Sequence, residues 1–249
     1  MGDGGESERS GTSGRRMRQG HVDLVPVAPL AGEVRDAVSP NVDVIAAPRV
    51  RAMPQTTACM NVAAVVAREG GLPLYGWMAL LWSDRFVELV FHALWERDGQ
   101  HRDVTAAPHP GCGASTTLIP EPRFTPPVDI RLIAVAPSFM PLSSAAIDEQ
   151  YFAVSMRFAG VQERLFALVE EGRAALIGDG FDGRVGVHAH DDEARTSIAR
   201  LAAEQATIQE AKSRLLRAMR RGRTDRVVPA PGDACWCGSG AAFAICCGG

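Results

Sequence analysis

Four of the six cysteines in this 249-residue chain are crowded into its last fifteen residues. They are Cys235, Cys237, Cys246 and Cys247. Zinc prefers four thiolates in a tetrahedron, and two closely spaced pairs of cysteines can supply that set. Gly238 and Gly240 allow the backbone to fold back between the pairs, because glycine accepts positive φ without steric cost. So short a peptide has almost no core, so we expect Zn²⁺ to supply most of its folding free energy.

The cysteine spacing and the Gly238-Ser239-Gly240 turn resemble the SEC-C motif. This motif occurs at the C-terminus of the bacterial preprotein translocase ATPase and on many otherwise unrelated bacterial proteins. The resemblance implies that the four cysteines bind zinc and that a protein partner docks through the knuckle. Family members usually carry lysines after the turn, where this chain has Ala241 and Ala242, which weakens the case for contacts through basic side chains. The alternative is that zinc only stabilises the fold of the C-terminal tail, which then binds no partner.

Composition and charge favour an ordinary soluble protein. The formal net charge is -3, and 46% of the residues are hydrophobic. The longest apolar runs, 76–81 and 87–95, are shorter than the roughly 20 residues that a membrane-spanning helix needs. The first 20 residues contain no apolar segment of the kind found in secretion signals. We therefore expect no membrane association and a cytoplasmic, reducing location in which the cysteines bind metal.

The sequence predicts an α+β protein in several parts. A disordered tail is expected over 1–20, an α+β domain over 21–140, a helical hairpin over 141–228 and the zinc knuckle over 229–249. The hairpin prediction rests on apolar residues at three-four spacing in two segments, separated by a glycine-rich turn over 178–186. The first segment runs from Tyr151 to Leu168 and the second from Ile198 to Met219.

The α+β domain is expected to contain one helix and several strands. Prolines interrupt 21–53, which predicts irregular structure with one strand near 42–46, and 108–127 reads as loop. A helix is predicted over 57–69, ended by Gly70-Gly71. Strands are predicted over 73–82, 86–95, 100–105 and 129–136, with Asp98-Gly99 as a hairpin turn.

Three residues in this domain form a candidate catalytic constellation. Cys59 lies in the first turn of the predicted helix, where the helix dipole favours a thiolate. A two-residue turn at Asp98-Gly99 pairs Arg97 with Gln100, which puts His92 and Asp103 on one face as diagonal neighbours. This arrangement suits a cysteine nucleophile with a histidine base that an aspartate orients.

The same region is similar to the transglutaminase-like core, a branch of the papain-like cysteine fold. The matching segments are Gly71-Leu72-Pro73, His92-Ala93-Leu94-Trp95 and Asp103-Val104-Thr105. The resemblance implies thiol hydrolase or acyltransferase chemistry on a peptide or acyl substrate, with Cys59, His92 and Asp103 as catalytic residues.

Two other functions compete with this hypothesis. One is a non-catalytic, zinc-bearing adaptor on the same scaffold, since buried cysteine and histidine are common in cores. The other, less favoured, is nucleic-acid or ribosome docking through the basic run from Lys212 to Arg226. His188 and His190, with Asp191 and Asp192, are expected to belong to the start of a helix in preference to a metal site.

Overall fold

The structure is a computed structural model. It describes residues 21–23, 29–53, 58–82, 84–107, 112–178, 186–236 and 241–246. In chain order the elements are β1 (His21–Asp23), α1 (Pro29–Val38), β2 (Ile45–Met53), α2 (Ala58–Glu69), β3 (Leu72–Trp82), β4 (Phe86–Arg97), β5 (Gln100–Thr105), β6 (Ser115–Pro120), β7 (Ser138–Pro141), α3 (Ala146–Glu170), β8 (Ala174–Ile177), β9 (Gly186–Ala189) and α4 (Asp192–Arg220). Short 3-10 helices lie at Ile130–Leu132 and Phe243–Ile245.

The larger sheet closes into a barrel of five strands. Going round the barrel, β3 pairs with β6, β6 with β2, β2 with β5, β5 with β4, and β4 returns to β3. Every pairing is antiparallel except the one between β2 and β5. The β3–β4 hairpin is longer than the barrel, and its far end adds β1 to β3 and β7 to β4.

The two faces of the β3–β4 hairpin are buried in different places, because side chains alternate along a strand. On the inner face, Leu94 packs with Ala47 and Leu118 in the barrel interior. Further along the same face, Phe86 enters a core formed with α3 and α4. The outer face is covered by α1 at one end and by α2 at the other.

The helices α3 and α4 form a hairpin, with the β8–β9 pair between them. Its core contains the apolar residues predicted from spacing, with Tyr151 and Ile208 almost fully buried. An ion pair at 2.9 Å between Arg157 Nη2 and Glu204 Oε1 links the two helices. None of the helices in the described part of the chain combines the length and hydropathy needed to span a bilayer.

Several sequence-based predictions are confirmed. Helix α2, the β3–β4–β5 meander and both long helices lie where apolar spacing predicted them. The hairpin register is also the expected one, with Arg97 opposite Gln100. Asp98 and Gly99 have φ of 53° and 72°, as a tight two-residue turn requires.

Other predictions for the first domain are wrong. The segment 21–53 is not irregular but carries α1 and β2. Pro29 begins α1, where the missing N–H has no cost. The 108–127 loop contains β6, which is held by its pairing with two strands. The strand expected over 129–136 is a 3-10 turn, because the Asp129 carboxylate accepts a hydrogen bond from Arg131 N–H at 3.0 Å.

Gly76 allows β3 and β6 to approach closely, which gives the first testable prediction. A Cβ at this position would lie 2.3 Å from the Ile119 carbonyl oxygen. We therefore expect Gly76→Ala to lower the free energy of unfolding by about 1–3 kcal/mol, the usual cost of overpacking. Gly160, in the middle of α3, has open space at its Cβ position, so Gly160→Ala is the matched control and should stabilise by about 0.5–1 kcal/mol. Urea unfolding of both variants measures the difference, and equal stabilities would contradict close barrel packing at Gly76.

Candidate zinc knuckle and buried His92–Asp103 pair

The C-terminal segment folds back on itself. Cys235 N–H donates to the Ala241 carbonyl at 2.8 Å, and Phe243 N–H donates to the Asp233 carbonyl at 2.8 Å. An antiparallel bridge joins Ala234 to Ala242. These bonds bring residues 241–243 alongside residues 233–235. Cys235 and Cys246 are thus carried on the two arms of the folded-back segment.

Two of the four predicted zinc ligands fall within the described residues. Cys235 is buried, Cys246 is exposed, and the two lie near each other. Cys237 and Cys247 lie outside the described residues. No group of three or more metal-ligating side chains occurs within the described part of the chain. The donor set itself suits zinc, because soft thiolates are the ligands of structural zinc sites.

The knuckle is docked against the helical hairpin by polar and apolar contacts. Arg157 of α3 donates from Nη1 to the Trp236 carbonyl, and Arg214 of α4 donates from Nη1 to the Asp233 carboxylate. The Trp236 side chain packs against the α3–α4 core. Arg157 therefore contacts both α4, through Glu204, and the knuckle. A change in the conformation of the knuckle would therefore affect the contact between α3 and α4.

His92 and Asp103 meet in the barrel interior. His92 Nε2 lies 3.1 Å from Asp103 Oδ2, and both side chains are buried. Continuing the observed register places Leu94 opposite Asp103, so His92 is the diagonal neighbour of Asp103, as predicted. An aspartate in this position can hold one imidazole tautomer.

The Asp103 carboxylate is the centre of a buried polar network. It accepts hydrogen bonds from Thr116 Oγ1 and from Thr105 N–H, and Arg49 Nε lies 3.4 Å from Oδ2. Burial acts to raise the pKa of Asp103, but His92 and these hydrogen bonds outweigh it, so the pKa lies below its ordinary value. Asp103 is therefore ionised at neutral pH, and its carboxylate is engaged in contacts that stabilise the barrel interior.

Cys59 lies on the other side of the sheet from this pair. It lies in the first turn of α2 and is buried against the sheet in an apolar cluster with Ala93, Trp95 and Val104. Because β4 pairs with β3 without a bulge, Ala93 and His92 point to opposite faces. Burial raises the pKa of the Cys59 thiol to about 12, which keeps it protonated at neutral pH. Catalysis by Cys59 stays a prediction, and these observations weigh against it.

Sequence reasoning missed the other partners in the network. Arg49 lies on β2 and Thr116 on β6, in segments predicted to be irregular or loop. The available signal was a pair of arginines, Arg49 and Arg51, among alanines and other apolar residues in 45–53, which is typical of a strand that carries a charge with a buried partner. The partner could be identified only from the parallel pairing that places Arg49 opposite Asp103.

The residues before α4 have a structural role. Asp191 is the N-cap of α4, and its carboxylate accepts a hydrogen bond from Ala194 N–H at 2.6 Å. His190 Nδ1 lies 2.9 Å from the Gly172 carbonyl oxygen. The capping role expected for this acidic segment is thus confirmed for Asp191.

Comparison with known proteins supports only the C-terminal assignment. Residues 233–249 match the SEC-C motif. No curated protein and no solved structure matches the chain significantly. The transglutaminase-like resemblance of the middle region has no support from these comparisons.

The pKa of Asp103 predicts a specific pH dependence of stability. Its pKa is lowered in the fold, so its ionised form stabilises the protein above the unfolded value of about 3.9, and this contribution is lost as pH falls through the folded value. Asp103→Asn should reduce the free energy of unfolding at pH 7 by about 3–5 kcal/mol, because it removes the buried negative charge that pairs with Arg49 and His92. The variant should also lose less stability than the wild type between pH 5 and pH 3.

Urea unfolding at each pH provides the measurement for Asp103. Asp43→Asn, at an exposed carboxylate, is the control and should change stability by less than about 0.5 kcal/mol. A wild-type-like pH profile in Asp103→Asn would contradict the buried network.

The environment of Cys59 predicts low reactivity. Iodoacetamide alkylation of Cys59 at pH 8 should be at least tenfold slower than that of the half-buried Cys112, as read by peptide mass spectrometry. His92→Ala should leave the Cys59 rate unchanged. Fast alkylation well below pH 8.5 that slows in His92→Ala would instead show a paired thiolate and favour the catalytic hypothesis.

Proposed function

We propose that this protein binds one Zn²⁺ through Cys235, Cys237, Cys246 and Cys247 and acts as a non-catalytic adaptor. The observation that carries this proposal is the folded-back segment in which Cys235 and Cys246 lie near each other, within the residues that match the SEC-C motif. Zinc holds the two arms of the segment together. Four metal–thiolate bonds replace the apolar core that the segment is too short to form.

The adaptor surface is the knuckle together with the helices that support it. Arg157 and Arg214 fix the knuckle on α3 and α4. Because zinc holds the arms of the knuckle together, it sets the position of the exposed surface that includes Ile245 and Cys246. Ile245 is 80% exposed and offers an apolar contact to a protein partner. Zinc thiolates require a reducing environment, which is the basis for placing the protein in the cytoplasm.

A thiol hydrolase or acyltransferase is the second candidate, and the His92–Asp103 pair is the observation that favours it. This function needs a Cys59 thiolate within reach of His92 and an open path for a peptide or acyl substrate. Cys59 is only 4% exposed and lies in an apolar cluster. The adaptor function is therefore the better supported of the two.

The zinc site can be tested by metal analysis of the intact chain. Purified protein should contain one zinc per chain by plasma mass spectrometry. Cys235→Ser and Cys246→Ser should each lower the zinc content at least fivefold, because loss of a thiolate opens a closed structural site. Cys112→Ser is the matched control and should keep the wild-type content.

Zinc removal should also weaken the helical hairpin, because Trp236 and Arg157 link the knuckle to it. A chelator should lower the melting temperature of the wild type and leave that of Cys235→Ser unchanged. Stoichiometric zinc in Cys235→Ser, or a chain purified without zinc that takes up none, would contradict the proposed site.

A further inference from the structure

The end of α4 carries a concentration of positive charge. Residues 212–226 contain seven basic residues and one acidic residue, whereas the whole chain has a net charge of -3. Two of the seven are already used, since Lys212 lies 5.2 Å from the centre of the Tyr151 ring and Arg214 pairs with Glu210 and Asp233. The remaining five form what we call the arginine platform, made of Arg217, Arg220, Arg221, Arg223 and Arg226.

The charges of the platform arginines are not neutralised by carboxylates in the described part of the chain, although Arg220 interacts electrostatically with Tyr151. Within the described residues, none of the five forms an ion pair with a carboxylate. All five side chains are exposed. Several arginines elsewhere on the surface do form ion pairs, as in Arg164 with Glu204 and Arg173 with Glu193. The helix dipole favours cations at this end of α4, but it accounts for a small part of such a cluster.

The end of the helix brings the five residues together. Gly222 has φ of 78°, Gly222 N–H donates to the Met219 carbonyl at 2.9 Å, and Arg223 N–H donates to the Ala218 carbonyl at 3.2 Å. This is the hydrogen-bond pattern of a Schellman cap, which turns the chain back over the last helical turn. Arg223 therefore lies beside the arginines of that turn and not beyond them.

The chain that follows is held in place by α3 and by Arg85, in the turn between β3 and β4. The Arg223 carbonyl accepts a hydrogen bond from Arg85 Nη1 at 3.0 Å, and the Thr224 carbonyl accepts one from Ile147 N–H at 3.1 Å. Gln150 bonds to both the N–H and the carbonyl of Val227, at 2.9 Å and 2.8 Å. The platform thus has a backbone ordered before any ligand binds, which lowers the entropy cost of binding.

The exposed stretch from Arg220 to Arg226 carries no large apolar side chain, and the exposed Val228 lies just after it. Every residue from Arg220 to Arg226 is exposed, while the apolar Ala218 and Met219 point into the core. Protein partners usually bury an apolar centre within a polar rim, and a single valine at the edge of the platform does not form such a centre. Phosphate groups need no such centre, and the planar guanidinium group matches phosphate oxygens in a bidentate manner.

We propose that the arginine platform binds the phosphate backbone of a nucleic acid without reading its sequence. The proposal rests on the arginines alone and does not depend on zinc or on the adaptor function. If all five arginines neutralise phosphates of a single strand, the logarithm of the binding constant should fall with the logarithm of salt concentration with a slope of about -3.5. A rise from 50 to 200 mM KCl should then weaken binding by about 100-fold.

Fluorescence anisotropy with the intact, zinc-loaded chain tests this proposal. The probes are fluorescein-labelled 20-nucleotide single-stranded RNA and DNA of one mixed sequence, and the corresponding duplexes, so that the arms distinguish the possible nucleic acids. The variant Arg217→Ala/Arg220→Ala/Arg221→Ala should weaken binding of the preferred probe at 50 mM KCl at least 20-fold. It should also make the salt slope less steep by about 2.

The matched control removes the same charge elsewhere. Arg68→Ala/Arg123→Ala/Arg200→Ala changes three exposed arginines outside the platform and should alter affinity less than threefold. Equal losses in the two variants would overturn the proposal, as would the absence of binding to every probe at 50 mM KCl. Polyglutamate that displaces the probe as well as unlabelled RNA at equal charge would also overturn it and point to an acidic protein partner.

Discussion

The pairing of β3 with β4 is the interaction on which the rest of the structure depends. The eleven residue pairs of this hairpin run without a bulge from Leu72–Glu96 to Trp82–Phe86. Strict alternation therefore assigns every side chain of the hairpin to one of two faces. One face lines the barrel and then enters the α3–α4 core, while the other supports α1 and α2. A shift of the pairing by one residue would move one strand's side chains to the opposite face of the sheet and would disrupt all four hydrophobic clusters at once.

The same alternation separates the candidate catalytic residues. It directs His92 into the barrel, where it meets Asp103, whose carboxylate also contacts Thr116 and Arg49. It directs Ala93 to the opposite face, towards Cys59 of α2. A buried carboxylate needs partners for its charge and its lone pairs, and three strands supply them here. The network therefore explains the burial of His92 and Asp103 without requiring a reaction.

The C-terminal part of the chain is held mainly by the helical hairpin, with one further contact from Arg85 in the turn between β3 and β4. Arg157 and Arg214 hold the knuckle, and Gln150 and Arg85 hold the segment that precedes it. The arginine platform spans the end of α4 and the chain that follows it, and the candidate zinc site lies further along the same part of the chain. Both proposals therefore concern the chain from the last turns of α4 onward.

The sequence by itself determined the features that depend on local chemistry. The helix α2, the Asp98-Gly99 hairpin, the two long helices and the cysteine cluster all follow from short-range spacing, turn residues and ligand types. Sequence also placed His92 beside Asp103, because a two-residue turn specifies the register of its strands. The segments containing α1, β2 and β6 were misread, since their prolines and polar residues resemble loop, and pairing with distant strands outweighs that local preference.

Only the tertiary structure decided which face of the sheet α2 covers, and therefore whether Cys59 could reach His92 and Asp103. It placed Cys59 apart from His92, brought Arg49 and Thr116 to Asp103, and folded Arg223 back beside the last turn of α4. These contacts join residues that are far apart in sequence or that depend on the path of a turn. The closure of the barrel and the docking of the tail are set by packing of the whole chain, and no local pattern encodes them.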